Sequence, residues 1–175
     1  MFGSKGLIEI YTGDGKGKTT AALGLAVRAC GHGAHVAIVQ FMKGWARYGE
    51  LTAVKHLPGV TLVHTGREKC IFRGDETDED FKEAARGLKE AEKFIDSGEY
   101  DLVILDEINV AIDFGLVDAD DVAELLRGKP EKTEIVLTGR NAPKSLLDMA
   151  DLVSEMKEIK HPYRQGITAR KGVEY

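Results

Sequence analysis

Thr12-Gly13-Asp14-Gly15-Lys16-Gly17-Lys18-Thr19-Thr20 is the stretch whose residue types and spacing are best suited to chemistry. Glycines at alternate positions let the backbone turn tightly enough for successive N–H groups to face one anion. A helix opening directly after them points its positive end at the same place. Lys18 supplies a point charge for outer phosphates, and the Thr19 hydroxyl suits a Mg²⁺ bridging them. The nine residues from Thr12 to Thr20 are therefore candidate nucleotide-binding residues. The loop is one residue short of the usual motif: three residues separate Gly13 from Gly17, so Thr12 stands where the first glycine is expected.

A second chemical stretch is Leu102-Val-Ile-Leu-Asp106-Glu107, an apolar strand pattern that ends in two carboxylates. Hard oxygen ligands at a strand tip beside a phosphate loop suit Mg²⁺, which makes Thr19, Asp106 and Glu107 the candidate metal residues. The plainer alternative is that Asp106 caps the following helix. Arg140 falls just past another strand, in Thr138-Gly-Arg, where a guanidinium would reach a triphosphate. Lys18 and Arg140 are thus the candidate catalytic residues. Arg28, near the end of the first helix, either complements the helix dipole or contacts the nucleotide. Trp45, in the loop after the second strand, either walls a flat ligand or covers the domain edge. Ile71-Phe72 either folds under its loop or lines a pocket for a large, partly apolar ligand. His161, in a basic tail without periodicity, either touches a ligand or faces solvent.

Positioning these residues requires alternating strands and helices. Strand patterns cover 7–11, 35–41, 60–64, 102–106, 134–138 and 152–156, the last at a sheet edge. Helical patterns cover 18–30, 50–57, 77–97, 109–115, 118–127 and 143–150. Thr77 is the N-cap of the longest, whose apolar stripe reads Phe81, Ala84, Ala85, Leu88, Ala91 and Ile95. The nearly continuous apolar run at 35–41 implies a strand covered on both faces. Together these predict an α/β, three-layer P-loop NTPase-like fold: a mostly parallel sheet of about six strands with helices on both faces.

The 175 residues fit one domain, 1–175, with no linker composition inside it. A net charge of -5 argues against a nucleic-acid or anionic-membrane binder. Cys30 and Cys70 have no metal or disulfide spacing, and no apolar run approaches a membrane span, so a soluble cytoplasmic protein is expected. The residues alone imply binding of a nucleoside triphosphate with Mg²⁺ and do not name the reaction. No nucleophile-and-base arrangement can be argued from spacing, and no Asn-Lys-x-Asp guanine reader follows the fifth strand. A small kinase or synthetase and a partner-driven ATPase or nucleotide switch are both open at this point.

The sequence resembles the ATP:corrinoid adenosyltransferases built on a phosphate-loop fold. Matching stretches are Tyr11-Thr-Gly-Asp-Gly-Lys-Gly-Lys-Thr-Thr-Ala-Ala, Arg28-Ala-Cys-Gly-His-Gly33, Val39-Gln-Phe-Met-Lys-Gly44, Val103-Ile-Leu-Asp-Glu107, Thr138-Gly-Arg140 and Gly172-Val-Glu-Tyr175. The shortened loop is itself typical of that family. The resemblance implies transfer of the 5′-deoxyadenosyl group of ATP to the cobalt(I) of a reduced corrinoid, with triphosphate leaving. It implies that the triphosphate lies in the loop in the reverse of the usual direction, exposing C5′. Lys16, Lys18, Arg140 and Mg²⁺ on Thr19 and Glu107 would share the leaving group's charge, with Asp106 holding a metal-bound water and Arg28 touching the nucleotide. A homodimer and a flavoprotein electron donor are also implied. The corrinoid side departs from the family. Members carry an aromatic pair soon after the glycine matching Gly66, where this chain reads Arg67-Glu-Lys-Cys-Ile-Phe72, and Trp45 is displaced by one residue. Phe72 would substitute from a shifted position.

Overall fold

Residues 5–175 are described in the computed structural model of this chain. Runs of aliphatic and β-branched residues form strands β1 (Ile8–Thr12), β2 (Val36–Gln40), β3 (Val60–His64), β4 (Leu102–Asp106), β5 (Glu134–Thr138) and β6 (Leu152–Glu155). Between them lie helices α1 (Lys18–Gly31), α2 (Glu50–Ala53), α3 (Asp78–Ser97), α4 (Ile108–Asp113), α5 (Ala119–Arg127) and α6 (Lys144–Leu147). The strands form one sheet in the order β3-β2-β4-β5-β1-β6, and every neighbouring pair is parallel. This is the expected three-layer α/β fold.

Burial follows the pleat. Every residue of β2 and β4 is buried, as an apolar strand covered on both faces must be. On one face Val39, Leu105 and Leu137 meet Ala84, Ala91 and Ile95 of α3 and the apolar residues of α4 and α5. On the other, Ile38, Ile104 and Val136 meet Ala22, Ala26 and Ala29 of α1, small side chains at helical spacing that bring the helix axis close to the sheet. The strand order has one consequence for chemistry: β5 stands between β1, which feeds the phosphate loop, and β4, which carries the carboxylates.

Several local expectations change. The helix read at 50–57 is α2 followed by a 3₁₀ turn, Val54–His56, because Pro58 forces Leu57 out of helical conformation to ψ 118°. The helix read at 143–150 keeps only Lys144–Leu147. The α3 stripe is also different: Ala84, Leu88, Ala91 and Ile95 face inward, whereas Phe81 is 46% exposed and Ala85 faces solvent. Their inner places are taken by Asp80 and Gly87. The sixth strand does lie at an edge, pairing with β1 and exposed throughout.

Asp80 is the charged exception on the inner stripe. It accepts from the Thr77 N–H and Oγ1, each at 2.8 Å, and from Arg67 Nε at 2.7 Å, so it caps α3 and anchors the loop after β3. Burial pushes its carboxyl up, but the Arg67 and Thr77 hydrogen bonds outweigh burial and hold it below the ordinary range. A depressed folded-state value means the stabilisation is complete above the unfolded aspartate value of about 3.9 and is lost as pH falls through the lower folded value. Asp80→Ala should cost about 1.5–3 kcal/mol in urea unfolding at pH 7, with the deficit shrinking as pH falls below the unfolded aspartate value of about 3.9.

Candidate active site

The phosphate loop joins β1 to α1. Gly13 (φ 94°) and Gly17 (φ 123°) adopt backbone conformations that side chains disfavour, and Gly17 is the N-cap of α1. The loop is also backed by chain: a Cβ on either Gly13 or Gly15 would lie 2.6 Å from the Met156 carbonyl oxygen, which accepts the Gly15 N–H. Lys18 curls over its own loop and donates to the carbonyls of Gly13 (2.6 Å) and Gly15 (2.8 Å). Burial pulls its ammonium below the ordinary lysine value, against the opposing charge of Glu107. Lys16 reaches the other way, to the Val173 carbonyl at 2.8 Å and Glu174 at 3.8 Å, and so ties the tail across the mouth of the loop.

Asp106, at the tip of β4, is 1% exposed. Its Oδ1 accepts from Thr19 Oγ1 (2.8 Å) and Thr138 Oγ1 (2.7 Å), and its Oδ2 from Lys43 Nζ (2.7 Å) and Gln40 Nε2 (3.0 Å). Burial favours the neutral acid, but the Lys43 charge and these hydrogen bonds outweigh it and hold Asp106 ionised, below the ordinary range. Glu107 turns through a left-handed backbone (φ 62°) fixed by its N–H donating to Thr138 Oγ1 at 3.0 Å. Burial and then the Asp106 charge push its carboxyl up. Asp106 is therefore more than a helix cap; Glu107 is the N-cap of α4.

A cavity of about 780 Å³ opens above these groups. Its lining includes polar residues, Asp14 to Thr20, Lys43, Glu50, Glu107, Arg140 and His161, and apolar side chains, Met42, Ile71, Val110 and Phe114. Asp14, Gly15, Lys16, Gly17, Lys18, Thr19, Thr20, Glu107, Arg140 and His161 are thus brought together, while Thr12, the last residue of β1, and Gly13, the first of the loop, do not line the cavity. Other expected residues are not. Arg28 is exposed in the last turn of α1, ten residues beyond Lys18 and off the cavity wall, in the position of a dipole-complementing cation. Trp45 packs on Tyr48 (ring centroids 5.6 Å) and Tyr175 (4.9 Å), and it is these two partners that line the cavity. Ile71 packs on the core and the cavity wall, while Phe72 is 72% exposed. Sequence reasoning missed Lys43, Thr138 and Gln40. Lys43 sits in the stretch 39–44 that carries part of the resemblance, but nothing in its spacing points to Asp106.

A glycine-rich loop between β1 and α1, a buried acidic strand tip and a parallel sheet make this an α/β protein with a P-loop-like fold. Within that class, residues 4–175 match the family model described as ATP:corrinoid adenosyltransferase BtuR/CobO/CobP. The chain is 41% identical over 173 residues to a corrinoid adenosyltransferase of Sinorhizobium sp, covering 98% of this chain and 81% of that protein. It is 34% identical over 171 residues to the corrinoid adenosyltransferase of Pseudomonas aeruginosa (98% and 84%) and 33% over 174 residues to that of Escherichia coli K12 (98% and 86%). The chain belongs to this family.

Lys18→Ala removes a charge that the loop holds ready at its own carbonyls. Isothermal titration should show ATP binding weakened by about 1.5–3 kcal/mol, with the melting temperature changed far less than the affinity.

Proposed function

We propose that the protein transfers the 5′-deoxyadenosyl group of ATP to the cobalt(I) of a reduced corrinoid. The observation that supports this most is a family match along nearly the whole chain, which includes the shortened phosphate loop. In the reaction the cobalt(I) electron pair attacks C5′, the C5′–O5′ bond breaks, and its electrons leave on triphosphate. No protein base or nucleophile is required, so the residues have to bind, orient and neutralise. Backbone N–H groups of the loop with Lys16, Lys18 and Arg140 hold the leaving group, and the apolar wall receives the corrinoid. The family match favours this reading over a partner-driven ATPase or switch.

The donor set suits Mg²⁺. Thr19 and Asp106 are oxygen donors in contact at 2.8 Å, and Glu107 lines the cavity beside them. Among the described residues there is no cluster of three or more His, Cys, Asp or Glu side chains for a dedicated cage. Two carboxylates and a hydroxyl completed by phosphate oxygens is the usual magnesium arrangement in such sites. Bound there, the ion supplies charge stabilisation to the departing triphosphate. A single domain, cytoplasmic location, a homodimer and a flavoprotein reductant belong to the same proposal, and sedimentation would test the dimer. No helix among the described residues is long and apolar enough to cross a membrane.

Incubation with ATP, Mg²⁺ and chemically reduced corrinoid should yield a light-sensitive adenosylated product and triphosphate in equal amounts. Orthophosphate without adenosylation would overturn the reading. Phe72, exposed on the loop beside the apolar wall, should behave as a corrinoid contact: Phe72→Ala leaves stability within about 0.5 kcal/mol. It should leave ATP affinity unchanged and impair adenosylation that starts from cobalt(II). Unchanged turnover would remove Phe72 from the site.

A further inference from the structure

Lys43 is a cavity residue for which neither the motif nor the proposed transfer gives a role. Its ammonium lies 2.7 Å from Asp106 Oδ2, 3.2 Å from Thr19 Oγ1 and 3.9 Å from Glu50 Oε1, with the Tyr48 ring centroid at 5.5 Å. Asp106 and Thr19 are two of the three residues assigned above to the divalent ion. Magnesium sits about 2.0–2.1 Å from its oxygens and repels a neighbouring ammonium, so the two cations exclude each other from this corner.

The placement of Lys43 is built into the backbone. Met42 takes a left-handed conformation (φ 56°) that a side chain disfavours, and such strain persists only where surrounding contacts enforce it. The Lys43 N–H donates to the Thr65 carbonyl at 2.7 Å, and the Lys43 carbonyl accepts from His64 Nδ1 at 3.1 Å. The next residue, Gly44, runs so close to the loop after β3 that a Cβ there would lie 1.9 Å from the Gly66 carbonyl oxygen. The stem of Lys43 is therefore fixed, and only its side-chain rotors can withdraw the ammonium.

We infer that Lys43 is a tethered counter-ion: it fills the divalent-cation position of the nucleotide-free site and gives it up when metal arrives with the triphosphate. The inference rests on the metal placement proposed above. Two cations then wait in the site on protein oxygens, Lys18 on the loop carbonyls and Lys43 on Asp106. Stray divalent ions are kept out of a corner that would otherwise present two adjacent carboxylates.

The test uses Mn²⁺ alone, titrated into nucleotide-free protein while the signal of unbound Mn²⁺ is followed by electron paramagnetic resonance. Lys43→Gln keeps a donor for Asp106, and Lys43→Met removes it, so whichever variant retains the wild-type circular dichroism and cooperative melting serves. Removing a unit charge at this range should tighten Mn²⁺ binding at least about tenfold over a weak wild-type site. The gain should vanish when Asp106→Asn is added. Unchanged binding in a folded Lys43 variant, tight binding by the wild type without nucleotide, or tightening that survives Asp106→Asn would each overturn the inference. Corrinoid is absent from the measurement, so failure of adenosyl transfer would overturn the proposed function and leave this readout intact.

Discussion

A buried carboxylate with four donors holds the catalytic end of this protein together. Asp106 takes hydrogen bonds from Thr19 on α1, Thr138 on β5, Gln40 on β2 and Lys43 on the loop beyond β2. A charge removed from water costs several kcal/mol unless its lone pairs are satisfied, so each donor is constrained by the cost of leaving Asp106 short. The phosphate loop, the strand tips and the loop after β2 are thereby held in register. Lys43 supplies the compensating charge, and its own ammonium is held above the ordinary lysine value because the Asp106 charge and hydrogen bond outweigh its burial.

The strand order makes such a hub necessary. With β5 between β1 and β4, the loop after β1 and the carboxylates after β4 are two strands apart, and the gap at the sheet's carboxyl edge has to be bridged. Thr138 is short enough to fit there, buried and bonded at both ends: its hydroxyl donates to Asp106 and accepts from the Glu107 N–H. That second bond supports the left-handed turn at Glu107, which leaves its carboxylate facing the cavity while Asp106 faces inward. Adjacent carboxylates thus acquire opposite environments. One is saturated and ionised; the other is pushed towards the neutral acid and open to the cavity.

Legibility in the sequence followed the range of the physics involved. The sheet, the N-cap at Thr77 and the strand β3 at 60–64 rest on short-range periodicity and capping, and the residues state them directly. The phosphate loop and Asp106-Glu107 were readable because one backbone motif and one strand tip each carry their own chemistry. What escaped depends on pairing across the fold. Lys43 and Asp106 are 63 positions apart, and Thr138 matters only because β5 is inserted between β1 and β4. Asp80 looks like one more solvated acid on α3 until Arg67 is seen beside it. Trp45 and Phe72 attracted attention as aromatics in loops, yet nearby residues, Tyr48 and Ile71, form the wall. Which member of a loop turns inward is settled by packing, and sequence spacing does not record it.

That the cavity is lined by both charged and apolar side chains bears on the kind of reaction it can host. Transfer at a phosphorus atom usually asks for a residue that orients or deprotonates the attacking oxygen close to the terminal phosphate. Lys16, Lys18 and Arg140 line the cavity together with the apolar side chains Met42, Ile71, Val110 and Phe114, and no residue has been given the part of a base. A carbon centre attacked by a soft metal nucleophile needs neither base nor water; it needs a neutralised leaving group on one side and a dry, accommodating surface on the other. In the proposed transfer Lys18 would meet the first need without reorganising solvent, since its ammonium already stands in the site on loop carbonyls that phosphate can replace.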